Sequence, residues 1–333
     1  MRIGVARLRS RVHYRDPLSD ILDSYYYLLQ RFLNDNKHLN THFYNISFNH
    51  QPPTRNPQEL EECSHIIIPS ENEFHYHIPN YIHTLDLQKS NQHVKDLGNY
   101  LQNKTLIILS SDKADSIDLY TKYVFPTVSF KNIYLIDEND FAYGVHALKY
   151  YFITESQLMS TTKTHDFAYW GTSKRKTIGG RESGDQRHIV LRDIKRSSLQ
   201  CCFIGRFDNF KADIKFSKQL KTILPYLLQS RSTLCFQWPD FNKYTTARFH
   251  EAIACDIIPF VWDDYDKYNT LVTNQYQRCT SSEMLIEKVM ELRNEKFYTT
   301  FLKEIKDAYL DLIPSKEQQY DRFVWNIAQC GVY

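Results

Sequence analysis

Short apolar runs alternate along this chain with longer stretches whose apolar positions recur at helical spacing. "RIGVA" (2–6), "THFYNISF" (41–48), "HIIIPS" (65–70), "TLIILSS" (105–111) and "NIYLID" (132–137) read as strands. "DILDSYYYLLQRFLND" (20–35) and "NQHVKDLGNYLQN" (91–103) read as helices. Continuous apolar runs suit strands buried on both faces. Their alternation with helices implies a parallel sheet covered by helices. A second alternation begins after residue 164. "DFAYWG" (166–171), "LQCCFIG" (199–205) and "STLCFQW" (232–238) are its strands, with helical patterns over 188–194 and most of 213–230. "YTTARFHEAIACDIIPFVWDD" (244–264) then predicts a helix over 246–255, N-capped by Thr245, running into a further strand. Helices follow at 281–294, 296–311 and 316–329, and the polar "TESQLMSTTKTH" (154–165) reads as a linker. The pattern therefore predicts two α/β domains, 1–164 and 165–315.

With 333 residues the chain is long enough for both. Its 41 basic and 39 acidic residues leave no general basic coat, so any nucleic-acid site must be a local patch. The seven cysteines form no CxxC and no regular spacing, which argues against a zinc site or a disulfide framework and for reduced, buried thiols. No secretory leader opens the chain and no run reaches membrane-spanning length, so a soluble cytoplasmic protein is expected. No GxGxxG follows the first strand, which disfavours a dinucleotide dehydrogenase.

Ligands of open α/β sheets sit beyond the carboxyl ends of the strands. Three stretches there carry chemistry. "YWGTSKRKTIGGRESGDQR" (169–187) puts Gly171, Thr172, Lys174, Arg175 and Arg181 in a glycine-containing loop, which suits a diphosphate or is simply a solvated basic turn. In the helix after Thr245, Arg248 occupies the first turn, where the macrodipole favours an acid, and Glu251 lies one turn on. The pair reads as a phosphate grip and a ribose acceptor, or as an ion pair on an exposed face. "TLIILSSDKADSID" (105–118) delivers Asp112 to a strand end, as a general base or as a helix cap. The histidines of "HYHIPNYIH" (75–83) lack metal-site spacing, and Asp263–Asp264 reads as surface. Arg7, Arg9, Arg11 and Arg15 follow the first strand as a local basic patch or simply as a solvated surface.

"HEAIACDIIPFVWDD" resembles the E-A-x-A-x-x-x-P-V signature of GT-B glycosyltransferases, and the chain as a whole resembles the phage DNA β-glucosyltransferases. The resemblance is carried by "MRIGVA", "LDSYYYLLQRF", "IIIPSENEFHYHIPN", "TLIILSSDKAD", "YWGTSKRKTIGGRES" and "YTTARFHEAIACD", in that order. It implies two Rossmann-like domains facing across a cleft, with a C-terminal helix (316–333) crossing back to the first. It implies Asp112 as catalytic base, with Asp23, also among the catalytic residues, contacting the donor-site region. Arg181, Arg248 and a cation at Lys174 or Arg175 would hold the diphosphate, with Gly171 and Thr172 opening the loop. Glu251 would hold the ribose, Phe236 and Trp238 are candidates for the uracil, and Asn72 and Phe74 face the acceptor. The implied reaction is inverting transfer of a sugar, glucose first, from a UDP-sugar to the hydroxymethyl group of a pyrimidine in duplex DNA, with the target base flipped out. The expected partners are UDP-sugar and hydroxymethylated DNA, with a divalent Mg or Mn ion as a possible helper and a monomer as the working state. Two alternatives remain at this point: a GT-B enzyme acting on a glycan or small molecule, and an inactive nucleotide- or DNA-binding module.

Overall fold

Five apolar runs of the N-terminal part form one parallel sheet: β1 (Ile3–Arg7), β2 (Thr41–Asn45), β3 (His65–Ile68), β4 (Thr105–Ser110) and β5 (Asn132–Asp137), in spatial order β2-β1-β3-β4-β5. The computed structural model describes residues 2–7, 21–39, 41–45, 62–68, 102–110, 129–137, 147–155, 161–173, 177–178, 181–182, 186–207, 210–215, 220–236, 246–263, 265–266 and 271–332. Register pairs Ile3 with both Thr41 and His65, and Ile66 with Leu106. Ile66, Ile67, Ile107 and Leu109 are buried, as a sheet covered on both faces requires.

Helix α1 (Ile21–Asp35) belongs to the same unit, and so does the C-terminal helix Lys316–Gln329 from Glu317 onward. Phe323 of the latter meets Phe32 edge-on, 6.2 Å between ring centroids. Arg31 forks onto the Glu317 carboxylate at 2.9 and 2.5 Å and lies over the Tyr320 ring. Tyr320 Oη donates to Asp35 at 2.6 Å. Unit 1 thus comprises Met1–Asp16, Ile21–Phe141 and Glu317–Tyr333, and unit 2 comprises Pro17–Asp20 and Ala142–Lys316.

Unit 2 is built on a second parallel sheet: β6 (His165–Ser173), β9 (Cys201–Phe207), β10 (Ile214–Lys215), β11 (Ser230–Cys235), β12 (Ile258–Trp262) and β13 (Arg278–Cys279). Its order is β10-β9-β6-β11-β12-β13. Between β6 and β9, β7 (Thr177–Ile178) and β8 (Arg181–Glu182) form an antiparallel hairpin. The helices are α2 (Leu148–Glu155), α3 (Gln186–Arg196), α4 (Leu220–Leu228), α5 (Ala247–Ala254), α6 (Ser282–Glu291) and α7 (Glu295–Leu312). Phe167, Tyr169, Phe203, Phe249, Phe260 and Tyr309 fill the core between sheet and helices. From β6 the chain moves to β9 on one side and later returns to β11 on the other. The carboxyl ends of β6 and β11 are therefore the switch point where such a sheet opens a ligand crevice.

Several elements differ from expectation. The 213–230 stretch begins as the edge strand β10, because the Asp213 carboxylate accepts from Phe203 N and Lys195 Nζ and fixes the chain against β9. Helix α2 falls just before and within the start of the stretch read as linker, and its apolar side chains pack inward. The N-cap of α5 is Thr246; Thr245 lies outside the described residues.

All seven cysteines are free, six of them buried. Burial pushes the Cys235 thiol up to about 12 and Cys202 up to about 11, which keeps both as protonated core groups. No helix among the described residues is long and apolar enough to cross a membrane.

Candidate functional site at the carboxyl end of β6

β6 carries Tyr169-Trp170-Gly171 toward its carboxyl end, and the first turn of α5, much later in the chain, reaches that stretch through Arg248. The Thr246 side chain makes no capping bond to the helix; its backbone N–H donates to Tyr265 Oη at 2.7 Å, and its hydroxyl lies 3.4 Å from the same oxygen. Tyr265 is wholly buried, so the start of α5 is fixed from below.

Arg248, in the first turn, does not pair with Glu251. Its Nε donates to the Trp170 carbonyl at 3.2 Å and its Nη2 makes a shorter bond to the same oxygen. Its guanidinium lies 4.1 Å from the Tyr169 ring centroid and 5.6 Å from that of Trp170. A carbonyl dipole and two aromatic faces thus offset the unfavourable helix position. The close approach needs glycine at the next position: a Cβ on Gly171 would lie 2.8 Å from Arg248 Nη2. Gly171 has φ +137° and Gly205, its register partner on β9, φ +153°; a Cβ on Gly205 would overlap the Gly171 carbonyl. Gly205 was not singled out from sequence. Its only signal there is a glycine closing an apolar strand in a chain with nine glycines.

Glu251 is buried, only 6 % exposed. Lys149 Nζ of α2 donates to its Oε1 at 2.8 Å, and Trp170 Nε1 donates to its Oε2 at 2.7 Å. Burial pushes the carboxyl toward protonation. The charge and hydrogen bond of Lys149, the Trp170 N–H and the charge of Arg248 together outweigh it and hold the group below the ordinary glutamate value. Trp170 therefore serves both site residues, through its indole for Glu251 and its carbonyl for Arg248. Neither Lys149 nor Trp170 was picked out from sequence, where a lysine in an apolar helix and a tryptophan in a strand carry no chemical signal.

The basic loop following β6 is in part the β7–β8 hairpin, with Ile178 opposite Arg181. The backbones of Thr172 and Arg181 are placed; their side chains, and all of Lys174 and Arg175, lie outside the described residues. Phe236 is buried, its ring 5.6 Å from Trp262 and 6.5 Å from Tyr169, with the Arg187 guanidinium 5.4 Å above it. Trp238 lies outside the described residues. In unit 1, Asp23 is on α1 and Arg7 on β1, with side chains outside the description. Asp112, Arg9, Arg11, Arg15, Asn72 and Phe74 all lie outside it. Among the described residues no group of three or more His, Cys, Asp or Glu is arranged to hold a metal ion.

No protein-family model matches the chain, and no curated protein matches it in sequence. Solved structures do match it in fold. The DNA-modifying enzyme β-glucosyltransferase, determined with and without uridine diphosphoglucose, is 14% identical with TM-score 0.60, covering 100% of this chain and 99% of that one. T4 phage β-glucosyltransferase in complex with UDP and Mn2+ is 15% identical with TM-score 0.57, at the same coverage. An α-glucosyltransferase in complex with UDP and a 13-mer DNA containing an HMU base is 11% identical with TM-score 0.55, covering 98% and 99%. The chain has the fold of these enzymes: α/β units on two parallel sheets, the GT-B class expected from its sequence.

Proposed function

We propose that the protein is an inverting glycosyltransferase that moves glucose from UDP-glucose to the hydroxymethyl group of a modified pyrimidine in duplex DNA. What supports this reading is the placing of Gly171, Arg248 and an ionised Glu251 at the switch point of the second sheet, in a chain whose fold matches DNA glucosyltransferases along its whole length. The two sugar-transfer partners, DNA and UDP-glucose, are those of the structural neighbours.

In the proposed reaction the hydroxymethyl oxygen attacks C1 of the glucose, and the bond from C1 to the UDP oxygen breaks. Asp112 takes the hydroxymethyl proton, and UDP leaves with the bonding pair. One displacement inverts the anomeric carbon. Arg248, Arg181 and a cation at Lys174 or Arg175 would stabilise charge on the leaving diphosphate, with Gly171 and Thr172 letting backbone approach it. Glu251 would accept from the ribose hydroxyls. Asp23 would contact the donor-site region, and Phe236 or Trp238 the uracil. Arg7, Arg9, Arg11 and Arg15 would meet DNA phosphates, giving binding that weakens steeply with salt. Asn72 and Phe74 would face the flipped base. A divalent ion enters only as a companion of the UDP phosphates. The protein is proposed to work as a cytoplasmic monomer.

The test offers UDP-glucose with duplex DNA containing 5-hydroxymethylcytosine, hydroxymethyluracil or unmodified cytosine, and counts glucose on the DNA. Transfer confined to hydroxymethylated DNA, and lost in Asp112→Asn, is expected. UDP-glucose binding without transfer to any of these DNAs would assign the fold to another acceptor.

A further inference from the structure

We propose that Lys149 and Trp170 are positioning residues that shape Glu251 into a receptor for two neighbouring hydroxyl groups of the donor's sugar-nucleotide ribose. The inference rests on the donor-site reading above and adds the residues that make Glu251 fit for it.

The geometry is specific. A carboxylate oxygen has two lone-pair directions. Lys149 Nζ occupies one on Oε1 at 2.8 Å, and Trp170 Nε1 one on Oε2 at 2.7 Å. One acceptor direction then remains on each oxygen, which matches the two donors of a vicinal diol. The donors come from different elements, α2 and β6, so both the position and the rotation of the carboxylate are set from outside α5. A carboxylate buried to this degree would take up a proton if no cation faced it. A protonated carboxyl would offer a hydrogen where the diol needs an acceptor. Arg248, one turn away on α5, adds its charge but bonds to the Trp170 carbonyl, so Lys149 is the cation in direct contact with the carboxylate. The side-chain exposures of 7 % for both Lys149 and Glu251 mark an interior pair rather than a surface one.

The test measures binding of UDP and of 2′-deoxy-UDP by calorimetry to wild type, Lys149→Met and Trp170→Phe. Wild type is expected to prefer UDP by about tenfold, the worth of one hydrogen bond to a charged group. Each variant should bring that ratio toward one, mainly by weakening UDP. A purely structural role would weaken both ligands alike and leave the ratio intact, which would overturn the inference. Lys149→Met leaves a carboxylate buried without its cation and risks misfolding. The double variant Lys149→Met/Glu251→Gln removes both charges, should fold, and should show a ratio near one. Wild type binding both nucleotides equally would also overturn the inference. Wild type binding neither would overturn the donor-site reading, and this inference with it.

Discussion

The two ends of strand β6 each carry a carboxylate and an arginine, and they use them in opposite ways. At the amino end, Asp166 is gripped by Arg293, whose Nε and Nη2 donate to the two carboxylate oxygens at 3.1 and 2.8 Å. Gln200 N adds a third bond at 2.8 Å. At the carboxyl end, Arg248 is aimed at a backbone carbonyl and Glu251 at a lysine and an indole. The first arrangement is a fork on the acid: Nε and Nη2 both meet the carboxylate, and Nη2 also donates to the Ser198 carbonyl at 3.2 Å. The second keeps its arginine off its acid, and each retains capacity for a ligand. Position explains the difference. The amino end lies away from the switch point, where an ion pair can only lock β6 to its neighbours. The carboxyl end lies where the sheet topology opens a crevice.

Removing the acid at the carboxyl end should have the largest effect. Glu251→Ala removes the carboxylate that the buried Lys149 ammonium meets at 2.8 Å, and should lower stability by about 3 kcal/mol, read by chemical denaturation, besides weakening UDP. Glu251→Gln should cost less stability and still weaken UDP. Arg248→Ala should reduce glucosyl transfer ~10²-fold or more, as expected for loss of one charge-stabilising group, while stability changes by less than about 1 kcal/mol. Glucosyl transfer by Arg248→Ala at the wild-type rate would erase the contrast between the ends. Gly205→Ala tests the packing under the site. The new methyl group overlaps Gly171, so a loss of roughly 2 kcal/mol is expected together with weaker UDP binding, because Gly171 moves against Arg248.

The smallest effect should come from the amino end. Arg293 is partly exposed, so Arg293→Ala should cost about 1 kcal/mol and leave UDP affinity unchanged. Burial pushes the Asp166 carboxyl up, but the Arg293 hydrogen bond, the Gln200 N–H and the arginine charges outweigh it and hold the group below its ordinary value. The folded carboxyl thus binds a proton less readily than the unfolded one. Its contribution to stability is full above the unfolded value of about 4 and is lost as pH falls through the lower folded one. The gap between wild type and Arg293→Ala should therefore be widest near neutrality and shrink in acid. A gap independent of pH would remove Asp166 as its cause.

The sheets were legible because parallel strands buried on both faces write themselves as unbroken apolar runs, such as "TLIILS" and "HIII". Helix α2 was not, because "LKYYFITE" is apolar nearly all round and shows no one-sided period; five of its eight residues are buried. β13 is two residues long and has no period to show. Arg248 and Glu251 were legible as an oddity, an arginine in a first turn and an acid one turn later. Their partners were not. Helical spacing offers Glu251 the arginine three residues before it, whereas packing supplies a lysine 102 residues away. The Gly171–Gly205 register likewise exists only once β6 and β9 lie side by side. Sequence spacing shows what one element presents, and the second sheet decides which elements meet.

The contrast between the two ends of β6 is tested most directly by titrating UDP into wild type, Arg248→Ala and Arg293→Ala under one set of conditions. Wild type and Arg293→Ala are expected to bind alike, with Arg248→Ala weaker by at least about tenfold, as for loss of a hydrogen-bonded cation. Equal binding by wild type and Arg248→Ala, or no binding by folded wild type, would contradict a nucleotide site at the carboxyl end of β6.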